Sequence, residues 1–160
     1  ELLMKVRPYI RKFQSQPVTD LVNGNLCLSL GYSGDMTQAQ RATAAAGKPT
    51  TFAYHVPREG TTVWMDTLAI PVDAKHPEYA YTFINFVMRP QNMAAISNFT
   101  GYPTSNAKAR PAIDPGMRNN PDIYLDESTF ARLIPGKDIP QADMRARMRA
   151  WTRFKTAIAQ

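Results

Sequence analysis

An α/β fold class is predicted for this chain by three observations. Apolar segments of strand length alternate with segments of helical period, the pattern expected of helices layered on a sheet. Glycine and proline punctuate the ends of the helical segments. Hydrophobic residues make up 44% of the 160 positions against 20% charged, enough to close one folded core and too apolar for a disordered chain.

The elements follow in order. Leu3, Val6, Ile10 and Phe13 recur at steps of three and four, which predicts a helix over 1–14. Pro8 interrupts it, because its ring removes a backbone donor. A short helical turn over 19–23 closes at Gly24. "NLCLSL" (25–30) then reads as a buried strand, with Leu26, Leu28 and Leu30 on one face and Cys27 and Ser29 on the other. Residues 36–46 are alanine-rich and predict a helix stopped by Gly47, with Pro49 just beyond. "TFAYHV" (51–56) and "TTVWMDTLAIP" (61–71) predict two strands joined by a turn over 57–60. His76–Pro77 opens a helix through Met88, with Tyr79, Phe83 and Phe86 on one stripe and proline in its first turn. Pro90 starts another helix, which ends near Thr100–Gly101, and "GYPTSN" is a turn. Residues 107–136, rich in proline, asparagine and aspartate, predict short helical pieces. The closing segment predicts an amphipathic helix with Met144, Met148, Trp151 and Phe154 turned inward. No internal repeat or low-complexity tract is present.

Composition excludes several classes of function. No apolar run approaches the ~20 residues that span a bilayer, so the chain is not expected to cross a membrane. No signal peptide pattern is present. The chain opens within a helical pattern and without an initiating Met, and it is expected to be a C-terminal piece of something longer. The net charge of +6 and pI near 9.6 raise the question of nucleic acid. The one dense basic cluster (Arg145, Arg147, Arg149, Arg153 and Lys155 around Trp151) reads more simply as the solvated face of the closing helix. Base-stacking aromatics and a nucleic-acid module are missing, so no nucleic acid is expected. His55 in a strand and His76 at a helix start give no nucleophilic triad, and no Gly-x-Ser-x-Gly elbow is present. Two histidines and one cysteine have no metal-ligand spacing. "GYSGD" lacks the lysine and hydroxyl of a phosphate loop. No enzyme, metal or cofactor is therefore expected.

What remains is binding chemistry at one corner. In "LCLSLGYSGDMTQAQ" a strand ends at a glycine and a helix begins, with Tyr32 and Asp35 at the turn. Asp35 precedes a helix with Gln38 three residues on, so it fits a capping box as well as a ligand site. In "VWMDTLAI", Trp64 and Asp66 lie two apart on an expected strand and so share a face. An aspartate in an apolar strand is costly without a partner. An aromatic ring beside a carboxylate is what an amine ligand needs: the ring attracts the cation, for roughly 0.5–2 kcal/mol. The carboxylate accepts a charge-assisted hydrogen bond, worth roughly 1.5–3 kcal/mol. Residue types leave the alternative open that Trp64 is core and that Asp66 pairs with one of the 19 lysines and arginines. Cys27 is either a buried thiol or half of a disulfide.

At these residues the sequence resembles the periplasmic polyamine-binding proteins of ABC importers, the putrescine and spermidine receptors. The stretches that carry the resemblance are "LLMKVRPYIRKFQS", "DLVNGNLCLSLGYSGDMTQAQ", "VPREGTTVWMDTLAIPVDAKHPEYAYTFINFVMRP", "GYPTSNAKAR" and a closing "RAWTRFK". The resemblance implies a type II periplasmic-binding-protein architecture, with ligand held in a cleft between two α/β lobes. Residues 1–160 would then be the C-terminal half of that bilobed fold and contribute segments to both lobes. It places ligand-binding residues at Tyr32 (commonly Trp in relatives), Asp35, Trp64, Asp66 and Tyr102. It implies a polyamine ligand, an ABC permease as partner and a periplasmic location. The alternatives are a receptor for another small cationic or amino compound, or an interaction module that uses the basic closing helix. A half-length chain is expected to expose apolar faces. The resemblance also implies that Cys27 pairs with a cysteine in the earlier half.

Overall fold

A computed structural model describes residues 2–157. The chain divides into two units, residues 1–15 with 136–160 and residues 16–135.

The smaller unit holds α1 (Leu2–Val6), a 3-10 turn (Arg7–Tyr9) and the long closing helix, α8 (Gln141–Thr156). Pro8 lies in the 3-10 turn, so the helix is interrupted where the sequence predicts. Phe13 stands edge-on to Trp151 and Phe154, with ring centroids 5.6 and 5.2 Å away, the geometry that aromatic quadrupoles favour. Arg7 ties the ends of the unit together. Its Nε donates to the Phe154 carbonyl at 2.9 Å, and its guanidinium lies 5.3 Å from the centre of the Phe13 ring. Of the four side chains expected to turn inward, only Phe154 is buried, and Met144, Met148 and Trp151 stay substantially exposed. The five-residue α1 and the segment around Phe13 offer too little surface within this unit to cover all four.

The larger unit carries α2 (Val18–Val22), α3 (Ser33–Ala45), α4 (Pro77–Val87), α5 (Pro90–Thr100), a 3-10 turn (Ala107–Ala112), α6 (Pro115–Arg118) and α7 (Glu127–Phe130). Its core joins α5 to the segment that follows: Ala94, Ala109, Ile113, Met117 and Ile123 pack together, flanked by Met93 and Tyr124. α3 packs by its Ala39 and Thr43 side, where Thr43 satisfies its buried hydroxyl on the Ala39 carbonyl at 2.8 Å. Gly47, at φ +64°, ends α3 as predicted. Its amide bonds the Ala44 carbonyl and that of Lys48 bonds Thr43, which satisfies two carbonyls left open at the helix end. α4 and α5 also match prediction. Proline at the first helical position opens each, where its missing N–H costs nothing.

The strands do not match. β1 is only Thr62–Val63 and pairs in parallel with β2, Ile134–Pro135, Thr62 opposite Ile134. The expected strands over 25–30 and 51–56 have no ladder partners, the first bending at Cys27, and the strand over 61–71 shrinks to β1. Leu28 and Leu30, expected inside, are 92% and 96% exposed, and Cys27 is an exposed free thiol rather than a buried one. The reason is physical: alternating side chains propose a strand, but only a neighbouring strand satisfies its amides. Among the described residues β1 and β2 are the only such pair. α4 likewise buries none of its residues, so the Tyr79, Phe83 and Phe86 stripe faces outward. The apolar faces expected of a half-length chain are thus exposed. Among the described residues no helix is long and apolar enough to cross a membrane.

Candidate functional site

The corner that follows residue 30 is built on the N-terminus of α3. Tyr32 is the N-cap residue, extended at φ −88° and ψ 154°, and the helix starts at Ser33 rather than at Met36. Asp35 therefore lies in the first turn, where unpaired amides favour a negative charge. The expected Asp-x-x-Gln capping box does not form. No side chain caps the helix, and Gln38 donates instead to the Thr100 carbonyl at 2.9 Å.

That carbonyl belongs to the end of α5, which delivers Tyr102 to the same corner. α5 terminates at Gly101 in the left-handed conformation, φ +80°, and a Cβ there would come within 2.8 Å of the Thr37 Cβ. Buried Ser97 donates its hydroxyl to the Tyr102 carbonyl. The Tyr102 ring lies where a Cβ on Gly34 would be, 2.2 Å from that position at the nearest ring carbon. Thus Gly34 makes room for the ring. The phenol then donates to Asp35 Oδ1 at 3.2 Å.

The electrostatics group these residues further. The Tyr102 phenol is pushed up to about 12, first by burial, then by the Asp35 charge and hydrogen bond, then by Tyr32 and Asp66. Asp66 is therefore close enough for Tyr102 to feel its charge. Among the described residues no ion pair reaches Asp35 or Asp66, whereas Arg41 pairs with Asp114, His55 with Asp122 and His76 with Glu78. Asp66 therefore has no lysine or arginine partner among the described residues. Trp64 is 65% exposed in this chain. Trp64 and Asp66 lie beyond the end of β1, so the strand argument for a shared face does not hold. The structure brings Asp35 and Tyr102 into contact and sets Tyr32 and Asp66 in their field. It gives Trp64 no bond to any of them.

Sequence reasoning missed Gly34 and Ser97, on which the Tyr102 position depends. A glycine in the first turn of a helix, where most residues serve better, was the available signal. The raised Tyr102 value predicts a pH effect. The phenol keeps its proton longer folded than unfolded, so its contribution is constant below the ordinary value of 10 and falls as pH rises from 10 to about 12. Chemical denaturation across that range should show a steeper loss of stability in the wild type than in Tyr102→Phe. Equal slopes would contradict the burial and bond described above.

The site is a half-buried carboxylate held by a neutral phenol at a helix N-terminus, with a second carboxylate and a tyrosine ring nearby. It offers charge and hydrogen-bond acceptors to a cation and no assembled nucleophile. Residues 3–123 match the model of the family described as bacterial extracellular solute-binding protein. The chain belongs to that family. Solute-binding proteins of this kind share the periplasmic-binding-protein fold, of which the helix-rich units above are a part. This solute-binding chain is 43% identical over 157 residues to a putrescine/agmatine-binding protein of Pseudomonas aeruginosa, covering 98% of itself and 43% of that protein. A putrescine-binding periplasmic protein from another strain of that species is 40% identical, again over 98% of this chain and 43% of the relative. A putrescine-binding periplasmic protein of Escherichia coli is 38% identical, over 98% of this chain and 42% of the relative. The chain spans less than half the length of these relatives. All three relatives are named as binding proteins, two of them as periplasmic.

Proposed function

We propose that this chain is part of a non-catalytic periplasmic receptor that captures a polyamine, putrescine or spermidine, and delivers it to an ABC importer. One observation carries the reading: Asp35 is fixed by the Tyr102 phenol at 3.2 Å yet has no cationic side chain paired to it among the described residues. One carboxylate oxygen is committed and the other is free to accept from an ammonium group. Asp66 supplies a second negative charge, and Tyr32 and Trp64 supply exposed aromatic surface for methylenes and cation. Polyamine specificity in the names of the relatives supports the same ligand class. In this reading Tyr32, Asp35, Trp64, Asp66 and Tyr102 line one wall of a cleft in a bilobed, type II architecture, to which this chain gives segments of both lobes. The exposed Leu28, Leu30, Met65, Leu68 and Val72 fit a chain that further protein covers.

Calorimetric titration of the full-length protein with putrescine, spermidine and a neutral diol of matching length tests it. Heat is expected with one or both polyamines and none with the diol. A protein that is silent to both polyamines, or that binds the diol as well, is not this receptor.

A further inference from the structure

The contacts between α3 and the end of α5 assign a role to two residues that do not face the proposed ligand. Asp35, Gln38 and Arg41 follow one another at steps of three and run down one side of α3. Gln38 Nε2 donates to the Thr100 carbonyl at 2.9 Å. Arg41 donates to the Asn98 carbonyl and, at 3.4 Å, to that of Phe99. These three carbonyls belong to the last turn of α5, where a helix leaves its acceptors open. A cation there also complements the negative end of the helix.

We propose that Gln38 and Arg41 are positioning residues, a clamp from α3 onto the last turn of α5 that holds the Tyr102 phenol on Asp35. The clamp works because one rigid helix carries both the acceptor, Asp35, and the two donors that fix where α5 ends. Tyr102 follows that end by two residues, with only Gly101 between it and Thr100. Its other anchors, the Ser97 hydroxyl and the turn at Gly101, lie within or next to α5. They shape the turn, and the close approach of Gly101 to Thr37 and of the Tyr102 ring to Gly34 limits how near it comes to α3, while the clamp holds it there. Arg41 is further aimed by Asp114, 3.9 Å from its guanidinium, and Asp114 is itself tied to α5 because its amide donates to Asn98 Oδ1 at 2.8 Å.

The test separates positioning from mere stability, and its affinity arm alone rests on the polyamine reading. Gln38→Ala, Arg41→Ala, the double variant and Arg41→Lys are made in the full-length protein, with folding checked by circular dichroism. Tyr102 ionisation is read by rapid pH-jump ultraviolet titration, assigned by difference against Tyr102→Phe. In the double variant Tyr102 should titrate below the wild-type value of about 12, toward the ordinary 10. Affinity for putrescine should fall about five- to tenfold, the weight of one net hydrogen bond. Arg41→Lys keeps a donor and should recover part of both. Folded variants whose Tyr102 titrates as in the wild type overturn the clamp, even if they melt earlier. Should the double variant fail to fold, Gln38→Ala alone, an exposed change, gives the same titration readout. A wild type that does not bind putrescine, with Tyr102 still shifted in the variants, fails the ligand reading and leaves the clamp supported.

Discussion

Replacing Asp35 by Asn is expected to weaken putrescine binding by tens-fold to thousands-fold and to leave the fold almost unchanged. Removing one partner of a desolvated, hydrogen-bonded charge pair costs about 2–5 kcal/mol, which is that range in affinity. The substitution isolates charge from geometry. An amide oxygen still accepts from the Tyr102 phenol, so the 3.2 Å contact has a replacement acceptor while the negative charge is gone. The structural cost is small by comparison. The helix N-terminus loses a favourable charge, worth about 0.3–1 kcal/mol, and among the described residues no cation loses an ion-pair partner. Asp66→Asn should act in the same direction with a smaller effect, because Asp66 is exposed and reaches the site only through its field. Trp64→Ala should cost less again, about 0.5–2 kcal/mol with the loss of methylene packing. Titration calorimetry and thermal melting on the same preparations check the whole series. Were Asp35 only a structural acid, its Asn variant would melt earlier and bind putrescine normally.

What the sequence made legible divides along physical lines. Helices announced by local chemistry were readable: Pro77 and Pro90 open α4 and α5, and Gly47 and Gly101 close α3 and α5, because each acts on its own backbone. Strands were not, because a strand exists only when another supplies its hydrogen bonds. "NLCLSL" has the alternation of a strand and remains unpaired, while the unforeseen β2 exists because β1 passes beside it. The site divides in the same way. Tyr32 and Asp35 stood out by residue type and by resemblance and Tyr102 by resemblance alone, and α5 does bring Tyr102 onto Asp35. For Gln38 a local spacing suggested a capping box, but an acceptor 62 residues further along the chain won its hydrogen bond. No local pattern contains that partner. For Trp64 and Asp66 the shared face was inferred from a strand that stops at Val63.

Gly34→Ala is expected to change sign with the residue at position 102. In an ordinary helix alanine is favoured over glycine by up to about 1 kcal/mol, since it has less chain freedom to lose. Here the added methyl would lie 2.2–2.5 Å from three carbons of the Tyr102 ring, closer than any relaxed contact. Either the ring swings away and surrenders its bond to Asp35, or α3 and the end of α5 part. Overpacking of this kind costs about 1–3 kcal/mol, which outweighs the helical gain. Gly34→Ala should therefore lower the melting temperature of the wild type and weaken putrescine binding together, because both follow from displacing one ring. In a Tyr102→Ala background the ring is gone and the space is open. The same methyl should then be neutral or stabilising, and affinity should not fall beyond the loss that Tyr102→Ala already causes. The coupling between the two positions should reach about 1–3 kcal/mol, at the upper end for residues in contact. A four-member cycle, melted and titrated with putrescine, measures it directly. Additive effects would mean that the ring does not rest on Gly34, and that the Tyr102–Asp35 contact is placed by something other than that glycine.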